Sequence, residues 1–101
     1  MNINNEILQL MKDESLIAFE NDEIPVSCII VDRDGNFISK GINDRQSSRN
    51  VLGHAEINAI VEAEQKIGDW RLDGYSMIVS LEPCDMCNAV IKESRIDKVY
   101  Y

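Results

Sequence analysis

The sequence predicts a layered α/β domain, and three observations lead there. Apolar residues at helical spacing alternate with short, nearly continuous apolar runs. Glycine, proline and Asp/Asn clusters stand at the changeovers. The last third of the chain reads strand, helix, strand, and two strands joined through a helix pair in parallel.

Each element has its own signal. Ile3, Ile7, Leu10, Met11, Ile17 and Ala18 recur with helical period over residues 3–20, with acids between them. Pro25 interrupts, and 26–31 is an apolar run suited to a buried strand. Asp32, Arg33, Asp34 and Gly35 form a turn signal; Phe37 and Ile38 open a second strand, which predicts a hairpin. Residues 42–53 hold Asn, Asp, Ser, Arg and Gly and read as a loop. A helix is expected over 54–67 from Ile57, Ile60, Val61 and Ile67, with Gly68 as its stop. A strand over 75–80 follows the Asp73-Gly74 turn; Pro83 opens a further helix carrying Ala89, Val90 and Ile91; and 98–101 makes a last strand.

Composition narrows the function classes. With 101 residues the chain suits one domain. Hydrophobic residues at 45% and charged residues at 28% exclude wholesale disorder. Apolar stretches such as Ile29-Ile30-Val31 are too short to span a membrane. The net charge of −8 argues against strong non-specific nucleic-acid binding, although Arg45 and Arg49, and Lys92, Arg95 and Lys98, form local basic groups. The N-terminus lacks the pattern of a secretory signal, and two of the three cysteines form C-x-x-C, so a cytoplasmic protein with metal or redox chemistry is expected rather than a structural disulfide.

The chemistry concentrates in His54-Ala55-Glu56 and Pro83-Cys84-Asp85-Met86-Cys87, each at a predicted helix N-terminus. Cys84 and Cys87, three apart, share one face of a first turn, where free N–H groups and the helix dipole favour thiolate. With His54 they make three ligands for Zn²⁺ and leave a fourth position to water, the catalytic rather than the structural pattern. Zinc lowers the pKa of such a water to about 7. Glu56 stands beside a ligand and suits a proton shuttle. Each piece alone has a plainer reading. His54 could be a helix cap, Cys84 and Cys87 a thioredoxin-like dithiol, and Glu56 an ordinary first-turn acid. Cys28 reads as a buried strand residue, with a fourth metal ligand as the alternative, and Arg45 and Arg49 read as solvated loop charges.

The H-x-E…P-C-x-x-C arrangement resembles the zinc nucleobase deaminases of the cytidine/deoxycytidylate deaminase superfamily. Glu23-Ile24-Pro25-Val26, Gly41-Ile42-Asn43, Trp70-Arg71-Leu72, the 81–87 segment and Ser94-Arg95-Ile96 resemble bacterial tRNA-specific adenosine deaminases in particular, over about residues 18–101. The resemblance implies a three-layer α/β/α cytidine-deaminase-like fold with a central mixed sheet. It implies a homodimer with one Zn²⁺ per chain, and hydrolysis of adenosine to inosine, with release of ammonia, at the wobble position of a tRNA anticodon loop. Carried over residue by residue, His54, Cys84 and Cys87 hold zinc, Glu56 moves the proton, Asn43 contacts substrate, and the Ala55 and Cys84 N–H groups line the pocket. Arg45, Arg49, Lys92 and Arg95 are the candidate RNA contacts. Family members normally continue with another strand and helices, so residues 1–101 are expected to be a single deaminase domain without them; Asn50-Val51 also stands where the family has Asp-Pro. Two other functions fit the same motif: deamination of a free nucleobase or nucleoside such as cytosine, guanine or cytidine, and a catalytically silent zinc-binding partner subunit.

Overall fold

A computed structural model describes residues 3–101, so the first two positions of the expected domain lie outside the described residues. The element order is α1 (Asn5–Glu20), β1 (Ser27–Val31), β2 (Phe37–Ile42), α2 (Arg45–Ser48), α3 (Ala55–Ile67), β3 (Ser76–Val79), α4 (Asp85–Glu93) and β4 (Lys98–Tyr100). The strands form one mixed sheet in the order β2-β1-β3-β4. β1 runs antiparallel to both neighbours, while β3 and β4, joined through α4, are parallel as expected.

Burial explains this order. Every residue of β1 and of β3 is buried, so both strands occupy the centre with a layer on each face. Ile29, Val31 and Ile78 face α1 and pack on Ile7 and Met11. Cys28, Ile30, Met77 and Val79 point the other way, toward Ala55, Ala59, Ile60 and Ala63 of α3 and Ile91 of α4. The result is the three-layer α/β/α arrangement. No helix among the described residues is long and apolar enough to cross a membrane.

Local chemistry sets the ends. Asn4 caps α1 by accepting the Ile7 N–H at 2.9 Å, and Gly68, at φ +73°, closes α3 in the left-handed region. Asp32 Oδ1 accepts the N–H groups of both Asp34 and Asn36 at 2.9 Å, which folds the hairpin turn. A bulge follows, because Ile30 pairs with Ser39 but Val31 pairs with Phe37. The expected loop over 42–53 instead contains α2. None of its residues is buried, so apolar periodicity carries no trace of it.

Gly41 brings β2 against the start of α3. A Cβ there would overlap the Ala55 carbonyl oxygen and lie 2.6 Å from Ala59 N. That close approach, with the Ser39 hydroxyl donating to the Ala59 carbonyl at 2.7 Å, fixes the height of the α3 N-terminus above the sheet.

Candidate active site

The site lies where β2 and β3 end and the chain turns into α3 and α4. His54 occupies the N-cap position of α3 and Cys84 that of α4, both with extended backbone, and Cys87 lies within the first turn of α4. His54 Nδ1 is 3.5 Å from Cys87 Sγ and 3.7 Å from Cys84 Sγ. One donor atom from each of the three falls within 4.8 Å of the others, a compact N/S₂ set that suits zinc by ligand type. Cys87 is fully buried, Cys84 exposed and His54 between, so the cluster is sunk in the fold on one side and open on the other. Cys28 does not belong to the group; it is buried in the main core.

Glu56, one residue into α3 from Ala55, is only 4% exposed and faces Cys87. Burial, then the Glu56 carboxylate and Cys84, push the Cys87 thiol far up. Desolvation and a neighbouring negative charge thus work against the thiolate that the helix N-terminus favours, and a dication is the counter-charge that offsets them. Burial raises the Cys28 thiol too, reinforced by Glu56 and Cys87, so it remains a neutral core residue.

Asn43 follows β2, and its Oδ1 accepts the Ala55 N–H at 2.9 Å. These two groups, both expected to meet substrate, thus satisfy one another, and Asn43 is left with its amide Nδ2. Asn58 Nδ2 donates to the Ile42 carbonyl and to Asp44 Oδ1, each at 2.9 Å. Beside His54 opens a cavity of about 160 Å³ lined by Glu23, Ile24, Asn43, Arg45 and Gln46. In the sequence Glu23 figures only within the Glu23-Ile24-Pro25-Val26 likeness and with no role of its own, and Asn58 not at all; its place one helical turn after His54 is the only signal it offers. A roomier apolar groove of about 510 Å³ runs beside α1 along Leu8, Met11, Leu16 and Phe19, on the opposite face of the sheet.

The candidate RNA contacts separate into two places. Arg45 borders the cavity, and Arg49, at φ 54°, ends α2 nearby. Lys92 lies in the last turn of α4, about 7.5 Å along its axis from Cys87 at ~1.5 Å per residue, and Arg95 follows the helix end. There the Arg95 guanidinium sits 5.2 Å from the ring centre of exposed Trp70, and Arg71 sits 5.4 Å from the same ring.

Comparison with known proteins agrees with this geometry. The chain is 45% identical over 86 residues to a tRNA-specific adenosine deaminase of Rickettsia bellii, a match covering 84% of this chain and 59% of that protein. A solved structure from a study of A-to-I editing by tRNA:A34 deaminases at the wobble position superposes with a TM-score of 0.89 at 38% identity, over 93% of this chain and 72% of that one. The guanine deaminase of Bacillus subtilis superposes with a TM-score of 0.88 at 31% identity, over 98% of this chain and 64% of that one. The chain spans between about half and three-fifths of the length of the curated relatives it matches. Residues 1–101 match the cytidine and deoxycytidylate deaminase zinc-binding region throughout, and the chain belongs to that family.

Proposed function

We propose that residues 1–101 form the catalytic core of a zinc-dependent hydrolytic deaminase that converts adenosine at the wobble position of tRNA to inosine and ammonia, in the cytoplasm and as a homodimer. One observation carries the chemistry: His54, Cys84 and Cys87 converge within 4.8 Å while Glu56 is buried against them. The substrate reading rests on the likeness to tRNA-specific adenosine deaminases.

In this reading His54 Nδ1 and the two Sγ atoms hold one Zn²⁺. When bound, zinc supplies a Lewis acid that brings the pKa of a water down to about 7. The remaining work belongs to side chains of the chain. Glu56 would take one proton from the attacking water and pass it to the ring nitrogen beside the amine-bearing carbon, then take the second from the hydroxyl now on that carbon and pass it to the departing amine, which leaves as ammonia. Its burial keeps each proton from bulk solvent between pick-up and delivery. Asn43, held by the Ala55 N–H through Oδ1, offers its Nδ2 donor to an acceptor on the base or ribose. Arg45 at the cavity edge is placed to meet a phosphate.

A second reading, deamination of a free base, is favoured by the likeness to a guanine deaminase and by the net charge of −8. Ammonia release from an anticodon stem-loop, adenosine, guanine, cytosine and cytidine separates the two. Turnover of the stem-loop well above that of free adenosine supports the first reading. Turnover of guanine or cytosine with none of the stem-loop establishes the second. Zinc binding without ammonia release from any of them marks a silent partner subunit.

A further inference from the structure

We propose that Glu23 is a positioning residue for the substrate pocket, acting through the 45–48 segment that forms the pocket's outer wall; this rests on the deaminase reading. The wall is short of hydrophobic support. Every residue of α2 is exposed, so burial does not hold it in place. Polar tethers do so instead, and they divide the work. Asn58 grips Ile42 and Asp44, and the Ala55 N–H grips Asn43, so the near end of the wall is fastened to α3. The far limb, which carries Arg45 and Gln46, is held from outside by Glu23. One carboxylate oxygen accepts the Gln46 N–H at 3.0 Å and the other accepts the Ser47 N–H at 2.7 Å.

Glu23 is built for this task. It is only 7% exposed and lies just past the end of α1, where its own N–H donates to the Ala18 carbonyl at 3.0 Å. Four residues later the chain enters the central strand β1, so the carboxylate stands on a rigid post. Burial alone would raise its pKa, yet the Gln46 and Ser47 N–H groups, with the Ser47 side chain, outweigh burial and hold the carboxyl below its usual range. Glu23, with Ile24 and Asn43, also lines the cavity. Glu23 therefore both lines the pocket and holds the 45–48 segment, while the metal-ligand cluster and Glu56 stand on elements it does not touch. Its loss should loosen substrate binding and spare the chemical step.

The test is Glu23→Ala and Glu23→Gln in the zinc-loaded protein, assayed with the anticodon stem-loop and with guanine. KM should rise at least tenfold in Glu23→Ala, with kcat within threefold of the parent and zinc content unchanged. Glu23→Gln keeps one acceptor oxygen and should fall between the two. Amide hydrogen exchange at Gln46 and Ser47 should quicken at least tenfold in Glu23→Ala while the α3 amides keep their protection. Unchanged KM, unchanged exchange at Gln46 and Ser47, or a joint fall of kcat and zinc content would overturn the proposal while the parent remains active. A parent that releases ammonia from neither substrate refutes the deaminase reading itself, and the claim about KM falls with it.

Discussion

Gly41→Ala should damage this protein far more than its chemistry suggests, and the structure says by how much. The added Cβ would lie 2.6 Å from Ala59 N and 3.1 Å from Asn58 Cβ, and would overlap the Ala55 carbonyl oxygen. Ordinary contact begins near 3.4 Å. The atoms in the way are helix backbone, which cannot rotate aside like a side chain, so α3 must retreat by roughly 1 Å, and the cost lies at the top of the overpacking range, about 3 kcal/mol. For a domain of this size that lowers Tm by roughly 12–24 °C. The displaced turn carries His54 and Glu56 with it, and a misplacement of about 1 Å costs on the order of a hundredfold in turnover. Gly35→Ala is the control: Gly35 has φ +85° but nothing within 4 Å of a Cβ, so that variant meets only the left-handed backbone penalty of about 1 kcal/mol and keeps its activity. Thermal unfolding followed by circular dichroism, with kcat/KM and zinc content on the same samples, makes the comparison. A Gly41→Ala protein no less stable than Gly35→Ala would refute the argument that close packing of β2 on α3 sets the site.

Glu56→Gln should keep its fold and its zinc but lose turnover by roughly a hundredfold to ten-thousandfold, since an amide can neither accept a proton from water nor hand one on; zinc analysis beside steady-state rates checks both halves. Acid should unfold the protein through Glu23 and Asp32. Burial raises both carboxyls, but N–H donors (Gln46 and Ser47 on Glu23; Asn36 and Asp34 on Asp32) pull them below their ordinary values. Their stabilisation is therefore fully present above about pH 4–4.5 and drains away as pH falls through the lower native values. Circular dichroism against pH should show a shallower acid limb in Glu23→Gln and in Asp32→Asn; a limb as steep as the parent's in both variants contradicts the assignment. If RNA is the substrate, Arg45→Ala should reduce the slope of log affinity against log salt by about one, whereas Arg95→Ala, whose guanidinium is stacked over Trp70 at the far end of α4, should leave it near the parent value. Equal loss of slope in both variants would place the RNA across both basic groups.

What the sequence disclosed follows from how local each signal is. His54, Cys84 and Cys87 were legible because their chemistry is written within a few residues of a helix start, and the helices and strands were legible wherever one face is buried. The antiparallel pairing of β1 with β3 was not, because strands buried on both faces carry no alternation that names a neighbour. α2 escaped notice because its four residues are all exposed. The Glu23 tether spans more than twenty positions and depends on a polar residue being buried, a property only the fold reveals. The Trp70–Arg95 stack is hidden for the same reason, since the two lie on different elements.

The cap positions show which demand prevailed where function and folding compete. α1 obeys the ordinary rule: Asn4 supplies the side-chain oxygen that a first turn needs. The two site helices break it. His54 and Cys84 occupy the N-cap positions of α3 and α4, and neither makes a side-chain capping bond. Serine, threonine or asparagine at either position would stabilise the helix by about 1 kcal/mol, so the sequence forgoes roughly twice that to aim an imidazole and a thiol at one point. α3 recovers part of the loss from a distance, because Asn43 Oδ1 accepts the Ala55 N–H in place of a local cap. The burial of Glu56 and Cys87 in the same first turns adds a second cost, since a carboxylate and a thiol press on each other out of solvent. A dication between the two helix starts offsets both costs at once. It supplies the charge that Glu56 and Cys87 lack and ties α3 to α4 where their caps do not.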